Sequence, residues 1–231
     1  MHFLSHIGQD SWAVHVLKFK QCGYFLDFGG FEGLMHSNTF YMEKYLGWRG
    51  ILVEPNPVPY RSACAVRNCI TINAALYRES RLAVEFTDSH GLSSLIEYQD
   101  RDTSSETRKQ ISAGILRVDT INPTELLGRF NAPELIDYMS LDVEGGEYEV
   151  LSCIDFSRYR IALMSVEHNH NSEKQVNIRK YLAAYGYDAI EHRNDDFFYN
   201  IKVLQELAGG NYLDPKEAQE RVINNYKIIE Y

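Results

Sequence analysis

The sequence predicts an α/β domain with a doubly wound, mostly parallel sheet. Three observations carry that prediction. Short apolar runs alternate with segments of helical periodicity along the chain, the pattern of βαβ units. One run, Tyr24–Phe28, leads straight into a glycine turn; in open α/β sheets, ligands bind where such turns leave the carboxyl ends of strands. Acids close three further runs, at Glu54, Asp142 and Glu167.

The elements follow in order. Asp10 is placed to cap a helix over Ser11–Lys20, where Trp12, Val16 and Phe19 recur at helical spacing. Gly23 closes this N-terminal helical segment, residues 1–22. Tyr24–Phe28 is apolar with one acid, as a buried central strand should be. After the glycine turn, a helix runs from about Ser37 to Leu46 and stops at Gly47. Ile51–Val53 is the second strand. Pro55 and Pro57 delay the next helix, which takes in Tyr60–Val66. Ile70–Leu76 reads as a third strand, Leu82–Thr87 as an added edge strand and Ile115–Val118 as another short one. The polar stretch between them, residues 90–114, lacks periodicity and suits a substrate loop or lid. Asn122 and Pro123 open a helix to about Phe130. Leu135–Leu141 is a strand, Gly146–Cys153 a helix, Ile161–Val166 a strand and Glu173–Tyr185 a helix. Ala189–Glu191 and Phe197–Val203 would form a last hairpin, and Asp214 caps a terminal helix over Pro215–Tyr226.

One domain accommodates 231 residues, of which 45% are hydrophobic, enough for a full core without disulfides or a structural metal. A net charge of -9 argues against a nucleic-acid partner, which needs a basic face. Cys22, Cys64, Cys69 and Cys153 show no CxxC spacing, so free thiols in a reducing, cytoplasmic setting are expected. No apolar run reaches membrane-spanning length, and residues 1–9 lack the apolar core of a signal peptide.

The most informative stretch is Asp27-Phe28-Gly29-Gly30-Phe31-Glu32-Gly33. Glycines let a backbone approach a nucleotide closely. Glu54 follows roughly 20 residues later, where an acid accepts the ribose hydroxyls of an adenosine ligand. The dinucleotide pattern GxGxxG is not met, because Phe28 stands where its first glycine belongs. Asp27 and Glu32 would also repel a pyrophosphate. They suit a ligand carrying a sulfonium and an ammonium, which favours S-adenosylmethionine over NAD.

Further segments share this character: Gly8-Gln9-Asp10, Ser37-Asn38-Thr39, Gly47–Pro57 with Val53-Glu54-Pro55-Asn56-Pro57, Ser140–Gly145 with Glu147, Val166-Glu167-His168-Asn169, Gly186-Tyr187 and Asp195-Asp196. In this order, and over nearly the whole chain, they resemble the FkbM family of S-adenosylmethionine-dependent methyltransferases. The resemblance implies a single Rossmann-like class I methyltransferase domain, with a seven-stranded, mostly parallel sheet and an antiparallel last strand. It implies O-methylation of a hydroxyl on a sugar, glycan or related metabolite, with S-adenosylhomocysteine as product. Fusion to a glycosyltransferase is common for such domains, and the terminal helix, Pro215–Tyr226, is a candidate either to pack on the body or to form a homodimer.

The donor is expected to meet Asp27, Gly29, Gly30, Glu32, Gly33, Ser37, Asn38, Glu54, Ser93 and Asp142. Methyl transfer also requires removal of the acceptor proton, by a general base or by a metal that acidifies the hydroxyl. His168 is the candidate base, being near neutrality when unperturbed, with Asp142 and Glu167 as catalytic partners at adjacent strand ends. The metal route would use the hard oxygen ligands Asp142, Glu167 and Asn169 for Mg²⁺ or another divalent cation. Two other readings stay open: an NAD-dependent oxidoreductase on the same layout, and a methyltransferase-like domain that binds without turnover.

Overall fold

The computed structural model describes residues 3–101 and 103–225. Along the chain the elements are α1 (Gln9–Val16), β1 (Tyr24–Phe28), α2 (Phe40–Leu46), β2 (Arg49–Val53), α3 (Pro57–Val66), β3 (Ile70–Ile72), β4 (Ala75–Leu76), β5 (Ala83–Asp88), α4 (Ser105–Ile111), β6 (Gly114–Ile121), α5 (Pro123–Arg129), β7 (Leu135–Leu141), α6 (Glu147–Ser152), β8 (Arg160–Glu167), α7 (Ser172–Ala183), β9 (Asp188–His192), β10 (Asp195–Tyr199), α8 (Ile201–Ala208) and α9 (Pro215–Asn225). The expected end of the last helix, Tyr226, lies outside the described residues.

Seven strands form one sheet in the order β3-β2-β1-β7-β8-β10-β9. Strand β10 is antiparallel to both of its neighbours, and the pairs from β3 to β8 are parallel. The expected seven-stranded, mostly parallel sheet with an antiparallel last strand is therefore present. Period-two alternation sends successive side chains of β1 to opposite faces. Leu26 and Phe28 pack with Leu126 and Leu127 of α5, Val150 of α6 and Ile178 of α7. Phe25 packs on the other face with Trp12 of α1, Met42 of α2, Leu204 of α8 and Ala218 of α9. Helices on both faces explain why β1 and β7 carry almost no exposed residue. Each fully buried Leu or Phe contributes about 1.5–3 kcal/mol to that packing.

Several boundaries differ from the sequence expectation, each for a local reason. The run Ile70–Leu76 divides at Asn73, whose Nδ2 donates to the carbonyl oxygens of Glu54 and Pro55, 2.9 and 2.8 Å away. The chain turns there, and β4 joins a separate three-stranded sheet, β4-β6-β5. Leu82–Thr87 and Ile115–Val118 thus pair with each other rather than extending the main sheet. Phe197–Val203 ends as a strand at Tyr199, because the Asn200 side chain accepts from the Lys202 and Val203 N–H groups and starts α8. Asp10 lies inside α1, not at its cap. It accepts from the N–H groups of Leu4, Ser5 and Ser11 instead. Helix α2 begins at Phe40, later than Ser37.

Residues 90–114 contain a 3-10 turn, His90–Leu92, and helix α4. Arg108 anchors that segment. Its fully buried guanidinium donates from Nε to the Leu92 carbonyl at 2.6 Å and from Nη1 to the Gln99 carbonyl, and pairs through Nη2 with Glu144 at 3.0 Å. No helix among the described residues is long and apolar enough to cross a membrane.

Candidate active site

A cavity of about 250 Å³ opens at the carboxyl ends of β1, β2 and β7, and the smaller sheet forms its outer wall. Asp27, Gly29, Gly30, Ser37, Asn38, Glu54, Ser93 and Asp142 all line it. Eight of the ten residues expected around the donor are thus brought to one space. Glu32 and Gly33 are not among the lining residues.

The glycine turn owes its composition to strand crossing. Gly29 sits at φ +90°, and a Cβ built there would fall 1.7 Å from the Asp142 carbonyl oxygen. Only glycine allows the end of β7 to approach so closely. Gly29 and Gly30 both donate to the Val53 carbonyl, at 3.0 and 3.1 Å, which ties the turn to β2. Any other residue at Gly30 would collide with Leu52, 2.4 Å from the position of its Cβ.

Asp27 shares a strand face with Phe25 and points at a buried network. Its Oδ2 accepts from Thr39 Oγ1 and lies 3.5 Å from Arg67 Nη1. The Arg67 side chain is fully buried. Nε donates to Glu43 at 2.7 Å and Nη2 to Thr39 at 2.8 Å, while Nη1 reaches the Gly33 carbonyl and Ser37 Oγ, both at 3.3 Å. Burial raises the Asp27 carboxyl pKa, and the Arg67 charge opposes that rise. Arg67 follows α3 without any motif, so sequence reasoning had no signal by which to find it. Asn38 Nδ2 donates to Ser140 at 2.8 Å, leaving its buried Oδ1 with no partner.

Glu54 is held in a fixed pose at the end of β2. Oε2 accepts from the Phe31 N–H at 3.0 Å and Oε1 from the Asn56 N–H at 2.8 Å. Each oxygen keeps a lone pair for a further donor. Burial pushes this carboxyl up to about 7, against the two backbone hydrogen bonds.

The floor on the β7–β8 side is acidic. Ligand oxygens of Asp142, Glu144 and Glu167 all lie within 4.8 Å of one another. Burial raises both the Asp142 and the Glu167 carboxyls, and Glu167 rises further through the adjoining charges of Asp142 and Glu144. Asp142 and Glu167 come within 4.8 Å of each other, and Asp142 Oδ1 and Glu167 Oε2 are buried without a hydrogen-bond partner. One proton shared between the two carboxyls satisfies both. Asn194 Nδ2 donates to the other oxygen of Glu167 at 2.7 Å. Glu144 adopts φ +55° ahead of Gly145, and the Glu-Gly-Gly run is the sequence signal for that tight turn. Beneath them, fully buried Glu147 pairs with Lys174 at 2.8 Å and accepts from the Val143 and Gly145 N–H groups.

His168 does not reach this floor. It follows Glu167 at the strand end, faces α7, and places Nε2 3.1 Å from Gln175 Nε2. Glu167, His168 and Asn169 are all absent from the cavity wall, which Asp142 and Glu144 reach. Burial lowers the His168 pKa, with Asp196 opposing. Asn169 sends Nδ2 toward Glu144 Oε2 at 3.4 Å. Asp195 and Asp196 open β10: Asp195 accepts from Gln9 at 3.0 Å, whereas Asp196 pairs with Arg179 at 2.5 Å.

This sheet order, with its inserted antiparallel strand and a cavity at the central strand ends, is that of Rossmann-like methyltransferases. Residues 20–189 match the model of the methyltransferase FkbM domain, and the chain belongs to that family. Among solved structures it is similar to the methyltransferase FkbM of Methylobacillus flagellatus KT, at 13% identity and a TM-score of 0.53, over 81% of this chain and 47% of that one. The chain thus spans about half the length of that protein. A human methyltransferase 10 domain containing protein aligns at 11% identity and a TM-score of 0.45, over 84% of this chain and 81% of that one. The N-terminal domain of human METTL16 aligns at 10% and 0.45, over 82% and 67%. At such identities the likeness is one of fold. No curated protein sequence matches the chain.

Proposed function

We propose that the protein transfers a methyl group from S-adenosylmethionine to a hydroxyl of a sugar, glycan or related metabolite. The observation that carries this reading is Glu54, a buried carboxylate on the cavity wall with each oxygen fixed by one backbone N–H group. A ribose diol offers the two donors that this carboxylate lacks. Asn38 Oδ1, a buried acceptor without a partner on the same wall, suits the donor's ammonium group. NAD fits less well. Its pyrophosphate needs a helix N-terminus at the turn, whereas α2 starts only at Phe40 and Asp27 and Glu54 supply negative charge.

The bound donor supplies a methyl group already activated by its sulfonium. This chain has to hold the acceptor oxygen in line and take its proton. The Asp142–Glu167 pair is positioned for that proton. A buried carboxylate whose pKa lies above the ordinary range is a stronger base than an exposed one. As the new C–O bond forms and the C–S bond breaks, the sulfur keeps the electron pair and Asp142 receives the hydroxyl proton. His168 has no part in this scheme. A divalent cation is a poor fit: Glu144 is already committed to Arg108, and Asn169 turns its amide nitrogen toward the site.

The expected signature is a pH-dependent affinity for S-adenosylhomocysteine. The ribose hydroxyls require the Glu54 carboxylate, whose pKa in the free protein is about 7. Below that pH the group is protonated and must give up its proton, so affinity falls by up to about tenfold per pH unit. Calorimetry from pH 6 to pH 8 should show that fall in the wild type. Glu54→Gln should bind weakly at every pH, without the slope. A slope unchanged in Glu54→Gln would remove Glu54 from the donor site.

A further inference from the structure

A second cavity backs onto the first. It has a volume of about 350 Å³ and lies between the Asp100–Arg101 segment, α6 and the start of α7. The turn after β7 separates the two spaces. Glu144 and Gly146 line the donor cavity, and Gly145 between them lines the second.

The second cavity is held open by fixed contacts. Asn171 Nδ2 donates to the Arg101 carbonyl at 2.6 Å, and the Arg101 side chain pairs with Glu149. The segment ahead of α4 is thereby fastened to α6 and to the cap of α7. Most charges on the wall are matched: Lys174 pairs with Glu147 at 2.8 Å and Asp100 with Lys109 at 2.7 Å. An anion therefore meets only cations already committed to carboxylates. No aliphatic side chain lines the space among the described residues, so a lipid tail has nothing to pack on. What remains is Glu173, Asn177 and the Tyr148 hydroxyl, which make no hydrogen bond or ion pair among the described residues.

These groups continue as a row along α7. Glu173, Asn177 and Tyr181 are four residues apart and share one helix face, and Tyr185 follows just past the helix end. From Glu173 to Tyr181 the row covers about 12 Å. The Tyr148 ring of α6 stands beside it, 5.7 Å from that of Tyr181, which is 5.3 Å from that of Tyr185. Tyr148 and Tyr185 are 39% and 42% exposed. Exposed rings grouped in this way mark a surface that something apolar covers.

The chemistry of the row defines what covers it. A carboxylate accepts from two neighbouring hydroxyls, and an amide both donates and accepts. A tyrosine ring adds an apolar face with a polar tip. A sugar ring is divided in the same way, with hydroxyls round its edge and C–H bonds on its face. We propose that the second cavity and the tyrosine row hold the outlying rings of a neutral oligosaccharide, another ring of which carries the hydroxyl to be methylated. This rests on the methyl-transfer reading above and narrows its acceptor to a glycan. The row is too long for one sugar ring, and the shared turn at Gly145 sets its near end against the donor cavity.

The test is NMR of the tyrosine rings on the full chain, titrated separately with cellohexaose, maltohexaose, D-glucose and hexagalacturonate. At least one neutral hexasaccharide should shift the Tyr148 and Tyr185 signals saturably. Glucose and hexagalacturonate should each bind at least tenfold more weakly. Glu173→Ala and Asn177→Ala, made together, lie on an exposed helix face where alanine favours the helix, so the double variant should fold. It should weaken the hexasaccharide at least tenfold and leave S-adenosylhomocysteine binding unchanged by calorimetry. Tyr185→Ser should act in the same direction. Shifts from neither hexasaccharide, glucose binding as tightly, or an unaltered affinity in the double variant would overturn the assignment. If S-adenosylhomocysteine fails to bind the wild type, the methyl-transfer reading falls and the acceptor role with it. If it binds and neither hexasaccharide does, the glycan assignment alone falls.

Discussion

Asp142→Asn should lose about 10²–10⁴-fold in methyl transfer while still binding S-adenosylhomocysteine. The substitution preserves shape and removes the group that takes the proton. Glu167→Gln should act in the same direction, because Glu167 shares the proton that keeps Asp142 poised. The two losses should not add, since the carboxyls work as one unit. The pH profile follows from the raised pKa of both groups. The basic form of the pair appears only above the ordinary carboxylate range, so turnover in the wild type should keep climbing as pH rises beyond that range. It should decline again as pH falls and the pair gains its second proton. His168→Gln should leave turnover nearly unchanged, because that ring faces α7. EDTA should likewise have little effect. A large loss with EDTA, restored by Mg²⁺, would replace the shared-proton scheme with a metal at Asp142 and Glu167. Single-turnover kinetics with labelled donor would distinguish these outcomes.

Arg67→Met should cost about 3–5 kcal/mol of stability, the usual consequence of breaking a buried ion pair from one side. Asp27 and Glu43 would remain buried without their cation, and Thr39, Ser37 and the Gly33 carbonyl would each lose a donor. The Arg67 guanidinium also lies over the Phe25 ring, 5.3 Å from its centroid, so the strand beneath the glycine turn is affected too. Denaturation in urea should show a lower midpoint at an unchanged slope. Adding Asp27→Asn should recover part of the loss, because the second substitution removes the stranded charge. A double variant no better than the single one would mean that the packing of Arg67, rather than its charge, matters here.

How much of this was legible in the sequence depends on how local each feature is. The glycine turn and Glu54 were readable because strand, turn and acid are neighbours in the chain, and the steric demand at Gly29 acts through the end of the adjacent strand. His168 was less readable, because it lies one residue beyond β8, where the chain turns its ring toward Gln175 of α7. Arg67 and Arg108 were not readable. Each becomes important only when folding buries it against acids from distant segments, Asp27 and Glu43 for one and Glu144 for the other. Residues 90–114 look like a bare loop because the Arg108 cation that organises them binds the carbonyls of Leu92 and Gln99 and the carboxylate of Glu144, leaving no hydrophobic period behind. The separate sheet β4-β6-β5 was hidden for a similar reason: a single side chain, Asn73, cuts one apolar run into two strands.

The most direct test is calorimetric titration of S-adenosylmethionine, S-adenosylhomocysteine and NAD into the purified protein at pH 8. The expected result is saturable binding of both adenosyl ligands, lost or strongly weakened in Glu54→Gln, with no heat from NAD. Binding of NAD, or of neither adenosyl ligand, would contradict a donor site at Glu54 and leave this cavity to a different ligand.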